Sequence, residues 1–146
     1  MNNNTILLVE DNLSDIDLTR RAFELGHIVN DLVVVEDGQD ALDYIFCNAQ
    51  YANRDKDQMP ALVLLDLKLP KVGGLEVLKR IRATDKIKRI PVVILTSSKE
   101  EQDIAASYDL GVNSYIRKPV DFHQFAIAIK QLGLYWLLIN ESPPMM

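Results

Sequence analysis

A chain of 146 residues fits one domain and leaves little room for a second. Hydrophobic residues make up 48% and charged residues 25%, the balance of a soluble globular protein with a core large enough to fold unaided, and a net charge of −5 argues against a nucleic-acid surface. The one cysteine, Cys47, cannot form an internal disulfide, so nothing points to an oxidising compartment.

The first residues, MNNNTILLVED, lack a basic stretch ahead of their short apolar run and turn acidic at once, unlike a signal peptide. That run, Ile6–Val9, reads as a first strand. Ser14 is the expected N-cap of the helix that follows, with Asp17 three residues on and Ile16, Ala22 and Phe23 as its apolar positions. Leu32–Val35 is a second strand, and Ala41, Leu42, Ile45 and Phe46 form the stripe of a second helix. The segment from Cys47 to Pro60 exceeds the usual connection, and its Asn, Asp, Gln and Lys suggest an exposed insertion. Leu62–Leu65 and Val92–Leu95 are further strands, separated by a helix marked by Leu75, Leu78 and Ile81. Ile104, Ala105 and Tyr108 mark a fourth helix, closed by Gly111. A weaker strand, Ser114–Ile116, precedes a fifth helix carrying Phe122, Phe125, Ala126, Ile129 and Leu132.

The first four runs are continuous rather than alternating, as strands buried on both faces of a parallel sheet should be. Strand and helix alternating five times predicts a doubly wound five-stranded parallel α/β sheet with helices on both faces. Ligands in such folds bind beyond the carboxyl ends of the strands, at the topological switch point.

Each strand end is polar where the apolar run stops. The first ends in Glu10-Asp11, the third in Asp66 and the fourth in Thr96; Lys118-Pro119 follows the fifth. One carboxylate there could be a helix cap or a surfacing acid. Three converging carboxylates repel one another by several kcal/mol in a partly desolvated cleft unless a cation or proton intervenes. Oxygen ligands suit Mg²⁺, which binds through one or two carboxylates plus a phosphate. Three negative charges on Glu10, Asp11 and Asp66 would balance three positive ones on Mg²⁺ and Lys118. Asp66 is then the candidate nucleophile, already ionised and able to form an aspartyl-phosphate. The metal and Lys118 would neutralise charge on the transferring oxygens, and the Thr96 hydroxyl would donate to them.

Glu10-Asp11, Asp66, Thr96, Tyr115 and Lys118-Pro119, at these intervals over nearly the whole chain, resemble the receiver domains of two-component response regulators of the chemotaxis-regulator type. The resemblance implies a flavodoxin-like receiver fold and phosphorylation of Asp66 by a histidine kinase. It implies Mg²⁺ ligation by Asp11, Asp66 and the backbone carbonyl of Lys68, with Glu10 acting indirectly. It also implies Lys118 on the phosphoryl group, a cis proline at Pro119, and Thr96 with Tyr115 as a switch pair. Lys68 and Ser98 match the positions that tune phosphoryl lifetime.

Other readings stand beside these. Lys118 could be a surface lysine, Tyr115 core packing, Thr96 a helix cap, and Cys47 a small core hydrophobe. His27 and His123 read as surface histidines, and Lys86, Lys88 and Arg89 as a solvated turn. A haloacid-dehalogenase-type phosphatase would need an acid where Lys68 stands, and a flavodoxin-type FMN binder would need a neutral loop where Glu10-Asp11-Asn12 stands. A phosphorylation-independent interaction scaffold remains the alternative function.

One domain over 1–146 is expected, with a core of about residues 4–133, an apolar extension over 134–146 and no output domain. Leu134 to Ile139, the longest apolar stretch, is too short to cross a bilayer, so a cytoplasmic protein with neither membrane nor nucleic-acid partner is expected. Tyr135, Trp136, Leu137 and Leu138 are apolar on every face of a helix and are the expected homodimer interface. This tail and the long loop after the second helix resemble the small receivers that partner bacterial phytochrome kinases, chiefly in cyanobacteria.

Overall fold

The computed structural model describes residues 5–26, 30–97, 100–118 and 122–133. Strands β1 (Ile6–Val9), β2 (Leu32–Val35), β3 (Leu62–Leu65), β4 (Val92–Thr96) and β5 (Ser114–Arg117) alternate with helices. These are α1 (Leu13–Leu25), α2 (Gly38–Phe46), α3 (Gly74–Ala83), α4 (Glu101–Asp109) and α5 (Phe122–Gly133). All strand pairs are parallel, in the order β2-β1-β3-β4-β5. This is the expected doubly wound, flavodoxin-like sheet. The chain reverses its direction of winding between β1 and β3, so the switch point lies there. Val9 pairs with Leu65, and the Asp66 amide donates to the Val9 carbonyl at 3.0 Å. Glu10 and Asp66 therefore leave the sheet side by side.

The pleat divides the core in two. Ile6, Leu8, Leu62, Leu64, Val93 and Leu95 face α1 and α5. Leu7, Val9, Val63, Leu65, Val92 and Ile94 face α2 and α3. Among the described residues no helix is long and apolar enough to cross a membrane.

Three local expectations need correction. Asn12, not Ser14, caps α1: its side chain accepts from the Asp15 amide at 3.0 Å, because the helix begins directly after the acidic pair. Strand β2 has only Val35 fully buried, since it lies at a sheet edge and lacks a neighbour on one side. Helix α4 buries Ser107 rather than the apolar stripe, and leaves Ala105 and Tyr108 exposed. The Cys47–Pro60 segment is largely exposed, as expected, yet locally organised. It holds a 3-10 turn at Ala49–Tyr51, and the Tyr51 ring meets Tyr44 edge-on at 5.1 Å. The Arg54 guanidinium lies 4.3 Å over Tyr44 and donates to the carbonyls of Tyr44, Ile45 and Gln58. Cys47 is buried, as a core residue, and Lys86, Lys88 and Arg89 are exposed in a turn.

At the opposite end of the sheet, Arg82 of α3 acts as a clasp. Its guanidinium donates to the carbonyls of Leu110 and Gly111 after α4, and to those of Lys88 and Ile90 before β4. Gly111, at φ +79°, makes the left-handed turn that ends this helix.

Candidate functional site

Glu10 continues the β1 ladder by donating its amide to the Val35 carbonyl at 3.0 Å, and the residue is only 1% exposed. Asp66, 7% exposed, is fixed by its own loop: its Oδ1 accepts from the Leu67 amide at 2.7 Å and the Lys68 amide at 3.4 Å. Asp11 is exposed and points a carboxylate to the same place. One oxygen from each of these three residues lies within 4.8 Å of the others. Among the described residues Asp11 has no hydrogen-bond partner, whereas Glu10 is doubly held. Its Oε2 accepts from the Asn12 amide at 3.2 Å and its Oε1 from Lys118 at 2.6 Å.

Burial pushes the Glu10 carboxyl up to about 7, and the nearby Asp66 charge adds to the rise while Lys118 opposes it. Lys118 follows β5, anchored by its amide on the Thr96 carbonyl at 2.7 Å. Its Nζ reaches Glu10 at 2.6 Å, Asp15 at 2.8 Å and Asp66 at 3.4 Å. Burial alone would lower its pKa, but the hydrogen bonds to Asp15 and Glu10 outweigh burial and hold it above the ordinary lysine value. The lysine stays a cation.

Thr96 is fully buried as the last residue of β4 and does not cap α4, whose N-cap is Glu100. Thr96 pairs with Arg117 and Ile94 with Tyr115, so the pleat puts Thr96 and half-buried Tyr115 on one face of the sheet. Lys68 is exposed beside Asp66 and His123 is exposed on α5. His27, Ser98, Pro119 and the expected interface residues Tyr135, Trp136, Leu137 and Leu138 lie outside the described residues.

The structure thus brings Glu10, Asp11, Asp66 and Lys118 together. It also adds Asp15, which sequence reasoning missed. The signal was the Asn12 cap, which sets Asp15 in the first turn of α1, over the strand ends. Three hard carboxylate oxygens at bridging distance, one of them on an exposed side chain, suit a small divalent cation with open positions.

Residues 6–130 match the family model of the response regulator receiver domain. The chain belongs to this family. The receiver is 40% identical, over 94% of its own length and 86% of the relative's, to the probable methanogenesis regulatory protein FilR2 of Methanothrix harundinacea. It is similar to the crystal structure of the phosphorylated cyanobacterial phytochrome response regulator RcpA. The two share 40% identity and a TM-score of 0.87, over 98% of this chain and 100% of that one. The Mn²⁺-bound form of Rcp1, a Synechocystis response regulator, is 36% identical with a TM-score of 0.85, over 97% and 99% of the two chains. The receiver is a response-regulator signalling protein, homologous to Rcp1 and to the phytochrome response regulator RcpA.

Proposed function

We propose that the receiver takes a phosphoryl group onto Asp66 from a histidine kinase, with Mg²⁺ held by Asp11, Asp66 and the backbone carbonyl of Lys68. The observation that carries this is the Asp66 carboxylate, set among two further acids and 3.4 Å from the Lys118 ammonium. An Asp66 oxygen attacks phosphorus while the P–N bond of the phosphohistidine breaks. The departing nitrogen keeps the electron pair and takes up a proton from the medium, so the protein needs no general base. Bound Mg²⁺ supplies positive charge to the phosphoryl oxygens. Lys118 supplies the rest, and Glu10 holds Lys118 from behind rather than meeting the substrate. The product carries about one more negative charge than the free carboxylate, and Thr96 and Tyr115, on one face of the sheet, act as the switch pair that responds to it.

The kinase is of the phytochrome type and the setting cytoplasmic; full-length similarity to RcpA supports the former. The receiver self-associates through Tyr135, Trp136, Leu137 and Leu138, a patch no single helix face can hide. Light scattering on the intact chain and on one ending at Gln131 tests this: two monomers reject it.

Mass spectrometry decides the central reading. The protein should gain one phosphoryl group from acetyl phosphate when Mg²⁺ is present, and not with EDTA or in Asp66→Asn. Unchanged labelling of Asp66→Asn would put the acceptor elsewhere, and an unlabelled parent chain would leave only a scaffold function. Phosphotransfer from a panel of the organism's own histidine kinases then tests the phytochrome assignment.

A further inference from the structure

The Asp15–Lys118 contact belongs to none of the roles above. Lys118 has three N–H donors. Two go to short contacts, 2.6 Å to Glu10 and 2.8 Å to Asp15, and only the long 3.4 Å contact reaches Asp66. A phosphoryl group arriving on Asp66 draws the ammonium toward itself across that 3.4 Å gap, and a move of the nitrogen toward Asp66 lengthens the short contacts it leaves. The two partners are not equal. The Glu10 side chain is 2% exposed and pinned by the Asn12 amide, so losing the ammonium would strand a buried carboxylate. The Asp15 side chain is 30% exposed and returns to water at little cost. Its place at the site does not depend on the lysine, because the Asp15 amide is held by Asn12 and its carbonyl by the Thr19 hydroxyl.

We infer that Asp15 is a releasable counter-ion: it holds one Lys118 donor in the unphosphorylated protein and gives it up to the phosphoryl oxygen, so that it restrains phosphorylation of Asp66. Asp15 is therefore a positioning residue acting through Lys118. The inference rests on Asp66 being the acceptor. It goes further by naming what the phosphoryl group displaces.

Removing the Asp15 charge frees the lysine and takes one negative charge from the path of an anionic donor. In the reaction with acetyl phosphate an Asp66 oxygen bonds to phosphorus and the P–O bond to acetate breaks, acetate leaving with the electron pair. Rates against donor concentration are measured with Mg²⁺ on the full chain, for Asp15→Asn, Asp15→Ala and the control Asp17→Asn. Asp17 makes the same charge change on α1, but it is exposed and paired with Arg21. Half-saturation by acetyl phosphate, a dianion, should fall about three- to ten-fold in both Asp15 variants, as expected for one unit charge removed at short range near a surface. The drop should be smaller with phosphoramidate, which carries less charge, and smaller at high salt. Asp17→Asn should match the parent.

Labelling that depends on Asp66 but is equal or slower in both Asp15 variants overturns this inference alone. So does an equal gain in Asp17→Asn, which would reduce the effect to net charge. Absence of Asp66-dependent labelling in the parent chain overturns the acceptor reading, and this inference with it.

Discussion

The shortest contact of Lys118 is with Glu10, at 2.6 Å, and not with Asp66, at 3.4 Å. In this state the lysine is first a partner for a buried acid and only second a neighbour of the acceptor. Lys118→Ala should thus have two separable effects. Phosphorylation should slow by about tenfold or more, because one charge-neutralising group is gone from the transferring oxygens. Stability should drop by about 1–3 kcal/mol, the usual cost of leaving a buried polar group unsatisfied. Urea melts and labelling rates measure both, and Mg²⁺ affinity should hold or rise with the lost positive charge.

Glu10 and Asp11 should differ as metal ligands. Both Glu10 oxygens are engaged, by Lys118 and by the Asn12 amide, whereas Asp11 is exposed and uncommitted among the described residues. Asp11→Ala should weaken Mg²⁺ by about tenfold or more, and Glu10→Gln by clearly less. Calorimetric titration checks this; equal losses would mean that the two acids share the ion.

The raised Glu10 carboxyl makes a prediction about pH in chelator-treated protein. Its folded value of about 7 exceeds the unfolded value near 4.5, so the folded state binds the proton more tightly. The stabilising contribution is full below about pH 4.5 and is lost as pH rises through about 7, with an upper limit of about 3 kcal/mol. Denaturant midpoints should fall across that window in the parent chain and change less in Glu10→Gln. Mg²⁺ favours the ionised acids and should shift the fall to lower pH.

Gly74, at the start of α3, sets the acceptor loop. A Cβ there would stand 2.1 Å from the Asp66 carbonyl oxygen and 2.7 Å from the Leu67 Cα, both backbone atoms. Gly74→Ala must therefore push the loop that aims the Asp66 carboxylate. It should cost about 1–3 kcal/mol, as overpacking does, and slow labelling of Asp66. Gly73→Ala, whose Cβ would meet only the Leu67 carbonyl oxygen at 3.8 Å, is the control.

Much of this site was legible because a buried parallel strand writes its own end into the sequence. The apolar runs stop at Glu10, Asp66 and Thr96, and neighbouring strands then bring those ends together. Asp15 was not legible, because its partner Lys118 is 103 residues away and the contact depends on which residue caps α1. Helix α4 misled for a different reason. Its sparse apolar residues suggest a stripe, but the helix packs so shallowly that a serine takes the buried position. In the Cys47–Pro60 segment composition spoke for solvent, while one arginine and two tyrosines supplied order that composition does not encode.

Shallow packing and the Arg82 clasp together define how α4 is held. Its carboxyl end is fastened through Leu110 and Gly111 to Arg82, while its amino end lies on the side of the sheet where Thr96 ends β4. Swinging the helix about the Arg82 clasp would expose little apolar surface, since Ser107 is its buried residue. A displacement at Thr96 would therefore reach the exposed face carrying Tyr108 with little apolar surface uncovered along the helix.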